Sequence, residues 1–243
     1  MEFDIVAFAA HQDDLELACG GTLIKMVQKG YKVAIVDLTR GEMGTRGTAE
    51  QRVAEAREAA KIMGIRHREN LGLPDACIEI TQDNKLEIIK AVRRLRPRIV
   101  LLPYWEDRHP DHAKTGKLVY EGAFLAGLAK LDTGQERYRP NRYIYYMCHY
   151  SFTPSFVVDI TDQIEKKWTA IQAYKTQFYN PNGIQSAVEP ETVLSSEDFI
   201  RRVMTHYKYY GSLIGAEYGE PFFVRETMEV DDLVTSFQRM VEF

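Results

Sequence analysis

The feature that most constrains the fold is a series of short apolar runs separated by helical patterns. Residues 4–10 (DIVAFAA), 32–38 (KVAIVDL) and 98–103 (RIVLLP) are such runs, as expected of strands buried on both faces. Between them, 49–63 sets Val53, Ala56, Ala60 and Met63 near helical spacing, and 84–95 does the same with Leu86, Ile89, Val92 and Leu95. Strands alternating with helices imply parallel βαβ units with helices on both faces. The expected class is α/β, a Rossmann-like three-layer sandwich with a mainly parallel sheet. A length of 243 residues and 45% hydrophobic content suit one domain over 1–243.

The rest of the chain reads less sharply. Residues 67–76 suggest a short strand and a Pro-marked loop, and 142–149 and 155–159 two further strands. Helices are expected over 162–177 and 196–210. The stretch 178–192 contains Pro181, Gly183 and Pro190 and reads as a mobile loop. The tail, 221–243, is expected to return along a sheet edge or another subunit.

A net charge of -4 without clustered Lys/Arg speaks against nucleic acid as a partner. Arg93, Arg94 and Arg96 read as a solvated helix face. Cys19, Cys77 and Cys148 are odd in number and far apart, so no disulfide framework is read from them. A reducing cytoplasm is the simpler setting. The first residues lack a basic leader region, and no stretch is long and apolar enough to span a bilayer. The expectation is a soluble, cytoplasmic protein with no membrane partner.

Open parallel sheets bind ligands beyond the carboxyl ends of their strands. The first run leads straight into His11-Gln12-Asp13-Asp14, and the run at 98–103 leads into a loop ending His109-Pro110-Asp111-His112. A catalytic zinc commonly takes three N or O ligands from protein and leaves one position open. His11 and Asp14, at a strand-to-helix turn, can face one point, with His112 as the third ligand. Asp13 is then free to move a proton between water and a departing amine. Protonated His109 can stabilise an oxyanion. The chemistry is hydrolysis of an amide. Against this, an Asp13–Asp14 pair before a helix equally serves capping and dipole stabilisation. The two His/Asp clusters together favour the metal.

At these residues the chain resembles the LmbE-like (PIG-L) zinc-dependent deacetylases. AAHQDDLELACGG is similar to their A-H-P-D-D-x-E-x-x-x-G-G signature, and H-P-D-H stands intact at 109–112. Further matches are TRGEMGTRG at 39–47, E-x-R-E-A-A at 55–60, LPD at 73–75 and GSLIGAEYGEPF at 211–222. The likeness is greatest to the bacillithiol-biosynthesis branch, whose substrate is N-acetylglucosaminyl-malate. It implies one Zn2+ per subunit on His11, Asp14 and His112, Asp13 as general base, and His109 as oxyanion stabiliser. It also implies substrate contacts at Arg52, Asp75 and Arg108, and a homo-oligomer, often a hexamer. Gln12 departs from the signature's proline. It removes local stiffness and keeps every ligand.

Some residues have plainer readings. Gly20-Gly21 lacks the G-x-G-x-x-G pattern and suits close helix packing. Arg40, Glu42 and Arg46 either touch substrate or organise their loop. Arg52 equally suits a salt bridge, Asp75 a turn, and Arg108 a pair with Glu106 or Asp107. Two other functions stay open: deacetylation of another N-acetylglucosamine conjugate or a chitooligosaccharide, and a non-catalytic Rossmann-like protein with structural zinc. A structural site usually has four protein ligands, and only three are visible.

Overall fold

The computed structural model describes residues 1–179 and 189–236. In chain order the elements are β1 (Ile5–Ala9), α1 (Asp14–Ala18), α2 (Gly20–Gln28), β2 (Val33–Thr39), α3 (Ala49–Met63), β3 (His67–Leu73), α4 (Gln82–Leu95) and β4 (Ile99–Pro103). Then follow α5 (Pro110–Leu125), β5 (Arg142–Tyr146), β6 (Phe156–Asp159), a 3-10 turn (Thr161–Gln163), α6 (Ile164–Ile171), α7 (Glu197–Ser212), β7 (Gly219–Phe223) and α8 (Leu233–Ser236). The strands form one seven-stranded sheet in the order β3-β2-β1-β4-β5-β7-β6. The first five run parallel; β7 is antiparallel to both β5 and β6. This is the α/β, mainly parallel architecture that the apolar runs imply.

Strand alternation divides the core. Ile5, Ala7 and Ala9 of β1 join residues of α2, α3 and α6 on one face, while Val6, Phe8 and Ala10 join α4 and α5 on the other. The sheet order reverses between β1 and β4, which pair directly with Ile5 opposite Ile99. The two strand ends bearing the His/Asp clusters therefore lie side by side at the topological switch point.

Three elements depart from the sequence expectation. Residues 110–125 form a helix whose apolar positions are interrupted by Gly116 and Gly122, so its periodicity is faint. Gly116 is needed there: a Cβ would lie 2.3 Å from the Pro103 carbonyl oxygen, so the helix packs flush on the end of β4 one turn beyond His112. The helix expected over 162–177 ends at Ile171, in a succession of turns. The tail's first strand, β7, lies inside the sheet between β5 and β6, not along an edge. Most of the loop expected at 178–192, namely 180–188, lies outside the described residues. No helix among the described residues is long and apolar enough to cross a membrane.

Two helices meet at Cys19 behind the first cluster, and β7 holds the joint. The Glu220 carboxylate accepts the N–H groups of Gly21 and Thr22 at 2.8 and 2.7 Å, capping α2. It also takes a 2.6 Å bond from Lys167 Nζ, which donates to the Leu17 carbonyl at the end of α1 at 2.7 Å. Lys167 and Glu220 are wholly inaccessible. Glu220→Ala is expected to destabilise by about 3–5 kcal/mol, because it leaves a buried ammonium unpaired. Glu58→Ala, which breaks the exposed Lys61–Glu58 pair, should stay within about 0.5 kcal/mol. Denaturant unfolding of both variants measures the contrast.

Candidate active site

The turn after β1 and the first turn of α5 converge at the switch point. His11 Nδ1 lies 3.3 Å from His112 Nε2. Asp14 places Oδ1 3.1 Å from His112 Nε2 and Oδ2 3.5 Å from His11 Nδ1. The His11 N–H donates to Asp14 Oδ2 at 2.9 Å, which closes the turn and aims the carboxylate. A tetrahedral cation with bonds of about 2.0–2.1 Å spaces its ligand atoms about 3.3 Å apart, so these three groups fit one.

The far nitrogen of each ring is fixed by acid. His11 Nε2 lies 3.1 Å from Asp75 Oδ1 and 3.8 Å from Asp111 Oδ2; His112 Nδ1 lies 3.1 Å from Asp107 Oδ1. In the neutral rings the protons then sit on the outer nitrogens. Two lone pairs and a carboxylate oxygen face one point, and only a positive charge satisfies all three. Burial opposes charge on His11 and His112, yet Asp14 and the surrounding carboxylates raise both pKa values well above the ordinary histidine range. Burial likewise opposes charge on Asp14, but His112 and His11 hold it well below the usual range. The field that favours imidazolium there equally favours a metal cation.

The other expected residues gather around this point in different ways. Asp13 is buried beside it, with Oδ1 3.3 Å from Arg52 Nη2. Arg52, on α3, also donates from Nη1 to the Gly41 carbonyl at 3.1 Å. Gly41 has φ +66, and a Cβ on it would meet Arg52 Nη1 at 2.3 Å, so the loop folds over the guanidinium only with glycine there. Thus Arg52, expected at substrate, is buried against Asp13. Asp75, expected likewise, has Oδ2 bonded to the Met43 N–H at 2.9 Å and Oδ1 beside His11. Burial opposes its charge, but the His11 ring and the Met43 and Ala76 amides bring its pKa down to about 2. Arg108 is exposed on the loop between β4 and α5.

His109 is the N-cap residue of α5, and its Nδ1 accepts the Asp111 N–H at 3.3 Å. Its ring centroid lies 4.8 Å from those of both His11 and His112. Burial, and then these two rings, lower its pKa. The sequence reading expects a protonated ring here, and the direction of this shift runs against that charge. With Nδ1 occupied as an acceptor, the proton belongs on Nε2, a donor still suited to an oxyanion.

Sequence reasoning missed Asp107, the carboxylate behind His112, although it stands in the same loop. Asp107 also takes the His149 N–H at 2.8 Å, and His149 Nδ1 lies 2.8 Å from its other oxygen. Of the two readings open for Arg46, the structure supports the organising one: it donates to the carbonyls of Thr176 and Pro190 at 2.9 and 3.3 Å.

The PIG-L family model, described as GlcNAc-PI de-N-acetylase, matches residues 6–123, which include both clusters. Diacetylchitobiose deacetylase of Thermococcus kodakarensis is 29% identical over 89% of this chain and 80% of its own. The conserved protein TT1542 of Thermus thermophilus superposes with a TM-score of 0.84 at 36% identity, over 94% of this chain and 98% of that one. N,N'-diacetylchitobiose deacetylase of Pyrococcus horikoshii superposes with a TM-score of 0.77 at 27% identity, over 90% and 82%. The chain belongs to the PIG-L, or LmbE-like, deacetylase family.

Proposed function

We propose that this protein is a zinc-dependent N-deacetylase, with one ion per subunit, that hydrolyses the acetamide of an N-acetylglucosamine conjugate. The observation that carries the reading is the convergence of His11 Nδ1, Asp14 and His112 Nε2 on one point beside Asp13. A divalent ion held there supplies Lewis acidity toward a carbonyl and lowers the pKa of water. Asp13 takes the proton from water and returns it to the departing amine. Arg52 keeps Asp13 Oδ1 oriented for that transfer. His109 Nε2–H donates to the carbonyl oxygen as it gains charge. Asp75 and Asp107 hold the outer nitrogens of the two ligand rings, so the inner ones stay unprotonated.

Within this class we favour N-acetylglucosaminyl-malate, from the branch likeness of the GTRG loop and the YGEPF segment. Arg108, exposed beside the site, suits a malate carboxylate. The rival substrate is diacetylchitobiose, named for the Thermococcus and Pyrococcus relatives. The reading includes one domain over 1–243, a homo-oligomer, hexameric by family likeness, and a cytoplasmic setting compatible with free Cys19, Cys77 and Cys148.

Asp13→Asn is expected to lower kcat by about 10²–10⁴-fold while the protein keeps its metal. Elemental analysis beside an acetate-release assay measures both; a normal rate in this variant removes Asp13 as the base. His109→Ala should cost about 10²–10³-fold in kcat, with metal content unchanged. For specificity, acetate release is compared between N-acetylglucosaminyl-malate and diacetylchitobiose. The malate conjugate should have the higher kcat/KM, and Arg108→Ala should lower it for that substrate by about tenfold or more with little effect on the chitobiose. A higher kcat/KM for diacetylchitobiose would replace malate as the substrate.

A further inference from the structure

Beneath the Asp13 turn lies a buried polar cluster that the chemistry above does not use. Its focus is the Gln12 carbonyl oxygen, part of the peptide that leads into Asp13. Two side chains from distant parts of the chain donate to that one oxygen: Arg68 through Nη2 and Tyr174 through its hydroxyl. Arg68 stands on β3 and Tyr174 follows α6, so the turn is gripped from both the sheet and the helical layer.

The donors are themselves held. Arg68 sets Nε 2.7 Å and Nη2 2.9 Å from the two oxygens of Asp37 on β2, a two-pronged pair. Its Nη1 reaches Glu16 Oε1 on α1 at 2.6 Å and the Ala56 carbonyl on α3 at 3.2 Å. The Tyr174 hydroxyl also lies 2.9 Å from Glu16 Oε1. Arg68 thus ties the Gln12 carbonyl to β2, α1 and α3 as well as to its own strand, β3. Gln12 does not hold the turn by its own side chain, whose Oε1 is buried without a partner among the described residues. Its N–H likewise has no acceptor among them.

A peptide unit is planar, so fixing its carbonyl fixes the N–H and Cα of the next residue. We propose that Arg68 and Tyr174 are positioning residues for Asp13: through the Gln12 carbonyl they set the plane from which the proton-transferring carboxylate projects. They do by hydrogen bonds what a ring-constrained residue at position 12 does covalently. Asp13 is then located twice, through its backbone from below and through Oδ1 by Arg52.

This rests on Asp13 moving the proton in amide hydrolysis, and the test separates the two ideas. Tyr174→Phe keeps the ring and removes only the hydroxyl. In the metal-loaded protein kcat should fall about 10- to 100-fold, with KM and metal content unchanged, as displacement of a reacting group predicts. Amide hydrogen exchange in residues 10–19 should quicken by about two- to tenfold, the scale of one lost hydrogen bond. Arg68→Lys keeps the charge but lacks the fork, and should lower kcat further. Adding Gln12→Pro to Tyr174→Phe should restore most of kcat and slow the exchange again. The proposal is overturned if Tyr174→Phe leaves both kcat and exchange unchanged, or if Gln12→Pro restores neither. Should exchange respond as expected in a protein that releases no acetate from either substrate, positioning stands and the deacetylase reading falls.

Discussion

The parallel pairing of β1 with β4 is the contact on which the site depends. It sets two strand ends side by side although they are far apart in sequence. His11 follows one end and His112 opens the helix after the other. Their facing nitrogens come within 3.3 Å only because the sheet order reverses at that junction. Both strands are shielded on both faces, so a slip by one residue would exchange the two core faces and separate the rings. The packing that fixes the register of Ile5 on Ile99 thus also fixes the donor atoms.

The acid around the site explains how acceptors can be crowded together. His11 is bordered by Asp14, Asp75 and Asp111, and His112 by Asp14 and Asp107. In isolation so many buried carboxylates would repel and protonate. Here each outer carboxylate holds a ring N–H or backbone amides, and Asp14 alone among them faces inward between both rings. The two rings also divide the work differently. His11, close on its strand, turns Nδ1 inward, while His112, on the helix, reaches in with Nε2. The choice of nitrogen follows from the distance each backbone must span.

Much of this is legible in the sequence, and the exceptions have physical reasons. The strands β1, β2 and β4 announce themselves because shielding on both faces leaves runs of apolar residues. The helix α3 matches its expected span, 49–63, because Thr48 and Gln51 cap it reciprocally and Gly64 ends it in the left-handed region. The helix α5 is hidden because two of its core-facing positions are glycines that allow close contact. Which residues gather at the site is readable from two short clusters. What each does is less so, since Arg52 and Asp75 look like surface contacts until the loop at 40–47 closes over them. A charged residue's sequence position does not reveal whether its partner is substrate or a neighbouring carboxylate.

The buried charges beneath the turn bear on the same division between stability and placement. Arg68 with Asp37 and Glu16 lies under one side of α1, and Lys167 with Glu220 lies at its far end. Burial pushes Glu16 up to about 6 despite Arg68, and raises Asp37 as well, so this cluster holds its carboxylates against their preference for water. Buried ion pairs of this kind often contribute less to stability than well-packed apolar side chains of similar volume. Their concentration around a five-residue helix points to geometry as what they supply. Hydrogen bonds are directional where apolar contacts are not. A short helix carrying Asp13 and Asp14 at its start needs its orientation fixed, and two buried ionic clusters, one under its side and one at its far end, supply directional contacts that do so.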